Sequence, residues 1–341
     1  MESITVDELD RQLAQCLAAD GRASFSAVAA VIGVSDQTVA RRYRRLRSAA
    51  LLRVVGLKWV KSGRANHWFL RLRCLPGSGE GIAGALARRD DTAWVQLLSG
   101  DTEVLCSLRE DSSGTTESLL TRLPRSERIV AVSAFSRLHI FTGGPDALGY
   151  IDVLPAERVA PLQLPPCAAP ASGPGPGSGP PEPITVTELD DALFAALAVD
   201  GRTPYAELAT ATGWSESRVR RRVDQLRAAG MLYFKVELDM PVFGFQRATW
   251  LWLSVPPSYL AETGAALAKF PEIAYATATT GPANLAACAV CRDEESLYQF
   301  LTEKVGSLPG VERLETSPII RTVKQASPVL LPGPGQRRGP G

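Results

Sequence analysis

Sliding the 341-residue chain against itself by 180 positions aligns Ile4-Thr5-Val6 with Ile184-Thr185-Val186, Leu9-Asp10 with Leu189-Asp190, and Asp20-Gly21-Arg22 with Asp200-Gly201-Arg202. The match runs without a gap through Leu52 and Leu232. The chain is therefore a duplicated module, and whatever the first half folds into the second must fold into as well. Hydrophobic residues make up 45% of the sequence, enough for a packed core in each half.

Each copy opens with three helical patterns. Leu9, Leu13 and Leu17, and likewise Leu189, Leu193 and Leu197, mark a first helix that ends at the Asp-Gly turn. An apolar run, Phe25 to Ile32, leads through Gly33-Val34-Ser35 into a third helix, and the second copy keeps Gly213-Trp214-Ser215 at the same place. On the third helix Val39, Tyr43, Leu46 and Ala50 form one apolar stripe, repeated by Val219, Val223, Leu226 and Gly230. Ser35 and Ser215 are placed to cap the first turn, and Asp36 and Glu216 set an acid where the helix dipole favours one. Arginines lie off the stripe. Net charge is only +1, yet Arg41, Arg42, Arg44, Arg45 and Arg47 stand against Asp36 alone, which concentrates positive charge as phosphate binding requires. A helix, a glycine turn and a basic second helix form the arrangement that enters a DNA major groove. We therefore expect double-stranded DNA as a partner. Arg41, Arg42, Arg45, Arg218, Arg221 and Arg222 are the expected backbone contacts, with Gln37, Thr38 and Ser217, beside the caps Ser35 and Ser215, at base edges.

Leu51 to Val60 reads as a β segment placed to serve as a wing or a hinge, with Met231 to Leu238 as its counterpart. Beyond it the pattern is strand Trp68–Cys74, helix Gly79–Arg89, strands Ala93–Ser99 and Val104–Leu108, helix Thr115–Leu123 and strand Ile129–Phe141. The second copy repeats the order from Ala248 to Lys324. This β-α-β-β-α-β order is that of a ferredoxin-like unit. Each such sheet leaves one apolar face that its helices do not cover, so the two units are expected to pair, with Phe69, Leu70, Trp250 and Trp252 on the joined faces. Expected boundaries are 1–60 and 184–240 for the helical domains and 61–150 and 241–327 for the ferredoxin-like domains. A proline- and glycine-rich linker is expected at 151–183 and a disordered tail at 328–341. The fold class is α+β.

Other chemistry finds little support. Cys288-Ala289-Val290-Cys291 is without a second such pair or a nearby histidine, so its thiols read as buried structural groups and no metal is expected. Gly79-Glu80-Gly81-Ile82-Ala83-Gly84 has the spacing of a dinucleotide fingerprint, but the second copy has lost it, and the strand order lacks the parallel sheet that motif serves. With His67 and His139 as the only histidines, a Ser-His-Asp site is poorly supported, and no cofactor is expected. No secretory leader and no apolar run of membrane-spanning length is evident, which points to the cytoplasm.

The run Leu189-Asp190, Asp200-Gly201-Arg202, Leu208-Ala209, Gly213-Trp214-Ser215, Val219-Arg220-Arg221-Arg222-Val223, Leu226 and Gly230-Met231-Leu232 resembles the helix-turn-helix of the Lrp/AsnC (feast/famine) regulators. Thr280-Gly281, Asn284-Leu285, Leu308-Pro309-Gly310-Val311, Glu315-Thr316 and Val323-Lys324 resemble their effector-binding (RAM) domain. The resemblance implies a winged helix-turn-helix followed by a RAM domain, present twice. It also implies DNA binding at pseudo-palindromic sites, RAM domains paired sheet to sheet, further homo-oligomerisation, and small effectors such as amino acids at the turn between the middle strands. Here those turns are Ser99-Gly100-Asp101 and Thr280-Gly281 with Asn284; the second, flanked by an intact Leu308-Pro309-Gly310-Val311, is the expected sensor. The first copy departs from the pattern, with Leu123-Pro124-Arg125-Ser126-Glu127 in place of Leu-Pro-Gly-Val, and the doubling means that one chain supplies what two subunits usually do. Some relatives with this build act as siroheme decarboxylases, for which His67 and His139 would be the candidates.

Overall fold

The computed structural model describes residues 5–58, 65–111, 118–143, 151–163 and 186–328. Packing divides the chain into two compact units that interleave the repeats: Met1–Lys61 with Ile151–Asp239, and Ser62–Tyr150 with Met240–Gly341.

In the first unit each repeat contributes three helices and one strand: α1 (Glu8–Ala19), α2 (Phe25–Ile32), α3 (Asp36–Ser48) and β1 (Leu52–Lys58), with their counterparts named below. The N-terminus of α1 is fixed by a capping box between Asp7 and Asp10. Gly33, at φ 79°, ends α2 in the left-handed conformation that glycine adopts without steric cost, and α3 begins at the cap Ser35, whose Oγ accepts from the Thr38 amide at 3.2 Å. Leu13, Leu17, Val28, Val39 and Leu46 close the three-helix core and are fully buried.

Residues 151–163 are not the unpacked linker expected of them. Ile151, Leu154, Val159 and Leu162 are buried, and the short helix α6 (Ala156–Val159) follows Pro155. Gln15 on α1 accepts from the amides of Val153 (3.0 Å) and Leu154 (2.7 Å) and donates to the Leu154 carbonyl, while Arg158 donates to the Val31 carbonyl. The spaced apolar residues override the proline-rich composition of the segment. The remainder of the expected linker and nearly all of the tail lie outside the described residues.

The second repeat supplies α7 (Glu188–Val199), α8 (Tyr205–Thr212), α9 (Glu216–Ala228) and β6 (Leu232–Leu238). Where a wing or hinge was expected, β1 and β6 instead pair with each other, antiparallel, from Leu52 opposite Leu238 to Lys58 opposite Leu232. Reciprocal arginines reinforce this ladder. Arg22 donates to the carbonyls of Gly201 (2.7 Å) and Thr203 (3.1 Å), and Arg202 donates to those of Gly21 (2.7 Å) and Ala23 (2.9 Å).

The second unit contains both ferredoxin-like domains in the expected order. The first runs β2 (Ala65–Cys74), α4 (Gly79–Ala87), β3 (Thr92–Leu98), β4 (Glu103–Asp111), α5 (Leu119–Arg122) and β5 (Ile129–Thr142). Part of the helix expected over Thr115–Leu123 falls outside the described residues. The second runs β7 (Arg247–Ser254), α10 (Leu260–Leu267), β8 (Ile273–Thr279), β9 (Leu285–Cys291), α11 (Glu294–Gln299) and β10 (Arg313–Lys324). The first half of β5 pairs with β2 and its second half with β8, while β10 divides itself in the same way between β7 and β3. The result is one closed eight-stranded barrel built from both repeats.

Phe69, Leu98, Leu105, Trp250, Trp252 and Ala286 fill the space between the sheets. Leu70, expected on the same face as Phe69, points the other way, into the core under α4, because neighbouring strand residues face opposite sides. The indole N–H of Trp250 donates to Gln96 Oε1 at 2.8 Å, so the largest side chains carry a polar partner into the interior. Replacing Trp250 by Ala should cost about 3–5 kcal/mol, since a cavity opens and Gln96 Oε1 loses its donor. Denaturant unfolding of the full chain checks this, and a loss below about 1 kcal/mol would contradict the packing described.

Candidate nucleic-acid interface and effector turns

The third helix of each repeat presents three faces with different duties. Val39, Tyr43 and Leu46, and Val219, Val223 and Leu226, form the buried stripe. A second face is basic but turned to its own protein. Arg42 pairs with Asp7 (2.7 Å) and Asp10 (2.9 Å), and Arg45 also reaches Asp10. In the second repeat Arg222 forks onto Asp190, with Nε 2.8 Å from Oδ1 and Nη2 2.7 Å from Oδ2. The side chains of Asp10 and Asp190 are 0% exposed. Arg47 and Arg227 cross to the other repeat, pairing with Asp200 and Asp20 at 2.6 Å each.

These pairs correct the expectation that Arg42 and Arg222 contact DNA. A buried carboxylate must be paired, and these guanidiniums are its partners. Arg222 holds the Asp190 carboxyl below the usual carboxylate range through its hydrogen bonds, and the Thr187 amide adds to the effect.

The third face is open to solvent. In α3 it carries Gln37, Arg41 and Arg44, with Arg45 at its margin; in α9 it carries Ser217, Arg220, Arg221, Asp224 and Gln225, which line a shallow groove with Ala228. Among the described residues Arg41 and Arg221 make no hydrogen bond or ion pair. Arg218 lies 4.5 Å over the Trp214 ring and Arg220 4.5 Å over the Tyr205 ring, so both keep their charge outward on an aromatic support. Ser35 and Ser215 act as caps, and the hydroxyls of Thr38 and Ser217 bond to them at 2.9 and 3.1 Å. Gln37 is exposed and without such a tie. Arg44 and Asp224 were not among the DNA contacts expected from sequence, although Gln37, Arg41, Arg44 and Ser48, with Ser217, Arg221, Asp224 and Ala228 as their counterparts, already trace the i, i+4, i+7, i+11 stripe that would have found them.

In the barrel the two turns differ sharply. Thr280 is tied to the other repeat: its amide donates to the Ser136 carbonyl and its hydroxyl accepts from the Ser136 amide, both at 2.9 Å. Asn284 clamps Val255, accepting from its amide at 3.0 Å and donating to its carbonyl at 2.8 Å. A Cβ at Gly281 would meet the Phe135 ring at 2.7 Å. Gly281 is therefore a site of close packing.

In the first turn Ser99, Gly100 and Asp101 have φ of 49°, 75° and 67°, and Ser99 donates its amide to the Pro318 carbonyl at 3.2 Å. Asp101 sits against Gly79 at the start of α4, and its buried Oδ1 has no hydrogen-bond partner. The glycine that opens the Gly79-to-Gly84 motif thus makes room for Asp101.

His67 is half-buried on β2, its pKa pushed down to about 4 by burial and by Arg137 and Arg109, whereas His139 is exposed and packs edge-on against Phe141. Cys288 and Cys291 lie on opposite faces of β9, one toward the barrel interior and one in the core that Leu267 and Phe300 share. No group of side chains that could hold a metal occurs among the described residues, and no helix there is long and apolar enough to cross a membrane.

Comparison with known proteins gives a consistent picture. The AsnC-type helix-turn-helix domain matches residues 6–47 and again 186–227, and the Lrp/AsnC ligand binding domain matches residues 250–329. The HTH-type transcriptional regulator FL11 of Pyrococcus horikoshii is 29% identical over 145 residues, 42% of this chain and 95% of the relative. The HTH-type transcriptional regulator Ptr1 of Methanocaldococcus jannaschii is 31% identical over 140 residues, 41% of this chain and 95% of the relative. Such relatives match a single repeat. Over the doubled length, the crystal structure of the siroheme decarboxylase NirDL superposes with a TM-score of 0.56 at 12% identity, covering 94% of this chain and 93% of that one, a likeness of fold.

The ion pairs generate a test in stability. Arg222→Ala should cost about 3 kcal/mol, because it strands a buried carboxylate, while Arg221→Ala should stay within about 0.5 kcal/mol. The Asp190 carboxyl titrates lower folded than unfolded, so its contribution is complete above the unfolded value near 4 and fades as pH falls through the folded one. Asp190→Asn should therefore be less stable at neutral pH and lose less stability on acidification below about pH 4. Equal acid sensitivity of variant and parent in a denaturation series would contradict the pairing.

Proposed function

This chain belongs to the Lrp/AsnC family, and from that premise we propose that it is a transcriptional regulator whose α3 and α9 read double-stranded DNA and whose barrel answers to a small amino-acid-like effector. What supports the first part is the solvent face on which Arg41 and Arg221 stand exposed and unpaired, each beside further exposed polar side chains. Guanidiniums free of internal partners are available to phosphate and guanine, whereas Arg42 and Arg222 are not. Arg41→Ala and Arg221→Ala should each weaken binding to DNA and lower the salt dependence of the affinity by about one unit of slope per lost phosphate contact. Titrations at several salt concentrations check this; unchanged slopes in both variants would reject the interface.

For the effector, Ser99-Gly100-Asp101 is the better candidate turn, since Asp101, unlike Ser99, Thr280 and Asn284, keeps a buried side-chain oxygen without a hydrogen-bond partner, suited to an ammonium group. Thr280, Gly281 and Asn284 then serve as the structural counterpart in the second repeat.

A second reading, a siroheme decarboxylase-like enzyme, draws on the likeness to NirDL along the doubled length and on His67, which would be neutral at physiological pH beside Arg109 and Arg137. Calorimetry with free amino acids, alongside absorbance spectra with an iron tetrapyrrole, separates the two. Amino-acid heat that disappears in Asp101→Asn fits the effector reading; a tetrapyrrole band with no amino-acid heat would favour the enzyme.

A further inference from the structure

The two reading heads are locked together yet chemically unlike. In addition to the β1–β6 ladder, the exchange between Arg22 and Arg202 and the crossed pairs Arg47–Asp200 and Arg227–Asp20 tie each helical domain to the other. The Gly201 amide also donates to the Val54 carbonyl at 2.8 Å. All of these contacts come in reciprocal or near-reciprocal sets, so the heads are related by an approximate twofold. A change of spacing between them would break several buried interactions at once.

The exposed residues do not share that symmetry. Arg41 and Arg221 occupy equivalent positions, but Gln37 answers to Ser217, Thr38 to Arg218, Arg44 to Asp224, and Arg45 to Gln225. The Arg44 and Asp224 pair reverses charge at one position of the face. In groove readout an arginine suits guanine, a glutamine suits adenine, and a carboxylate accepts from the cytosine amino group and repels phosphate. Palindromic operators reflect identical heads in a protein dimer, and identity is what the fused chain has given up.

We propose that the chain reads a single asymmetric DNA site composed of two unlike half-sites at fixed order and spacing. Arg41 and Arg221 make the contact common to both, while Gln37 and Arg44 in one head and Ser217 and Asp224 in the other discriminate. This rests on the DNA-reading function proposed above.

Selection of binding sequences from a random duplex library by the full chain, restricted to complexes of one chain per duplex, provides the test. The expected outcome is one motif with unlike halves, and replacing either half by an inverted copy of the other should weaken binding roughly 5- to 150-fold for each base pair mismatched. The variant Ser217→Gln, Arg218→Thr, Arg220→Ala, Asp224→Arg, Gln225→Arg changes only exposed side chains and gives α9 the face of α3; its selected motif should become palindromic. A palindromic motif from the unaltered chain, or an unchanged asymmetric motif from the folded variant, would overturn the inference while leaving DNA reading intact. Enrichment of no sequence at all would overturn both.

Discussion

The antiparallel ladder between β1 and β6 is the contact on which the helical unit depends. Each repeat ends its three helices with a single strand, and one strand cannot satisfy its own backbone N–H and C=O groups. Leu52 to Lys58 and Leu232 to Leu238 supply one another with those partners across the repeats, and Arg53 pairs with Glu237 along the same ladder. Once the ladder is formed, Gly21 and Gly201 come close enough for Arg22 and Arg202 to reach the opposite chain segments. The barrel follows the same logic on a larger scale, since β5 and β10 each complete a sheet that the other repeat begins.

Duplication within one chain changes what such pairing can do. Two separate copies must meet at a concentration-dependent equilibrium, whereas here the partner is always present. The halves are also free to diverge, and they have done so most on their exposed surfaces. The buried contacts that join them keep near-equivalent residues: Arg22 with Arg202, Asp20 with Asp200, Arg47 with Arg227. The faces turned to solvent, Arg44 against Asp224 and Gln37 against Ser217, do not. Shared geometry and divergent surface chemistry are what a single scaffold requires to present two different readers.

Much of the fold was legible in the sequence because it was written twice. Helix order, the caps Ser35 and Ser215 and the β-α-β-β-α-β pattern follow from periodicity and turn chemistry, which are local. What was not legible was partnership. A short strand such as Leu52–Lys58 does not name its neighbour, so a wing was as consistent with it as a ladder. Arg42 and Arg222 look like any other exposed arginines until Asp10 and Asp190, 32 residues upstream on the first helix, come to lie beneath them. The polar side chains of Thr280 and Asn284 likewise gain their structural partners, Ser136 and Val255, only through tertiary contact. Residues 151–163 were misjudged for the opposite reason, since proline content outweighed four spaced apolar residues that the surface of α1 was able to bury.

The central claim is that one chain carries two DNA-reading heads held at a set spacing. Hydroxyl-radical footprinting of the full chain on duplexes recovered with it from cells tests this most directly. The account predicts two separated patches of backbone protection, one for each head, with a constant interval on every bound duplex. A single patch, or an interval that varies from one duplex to the next, would contradict it.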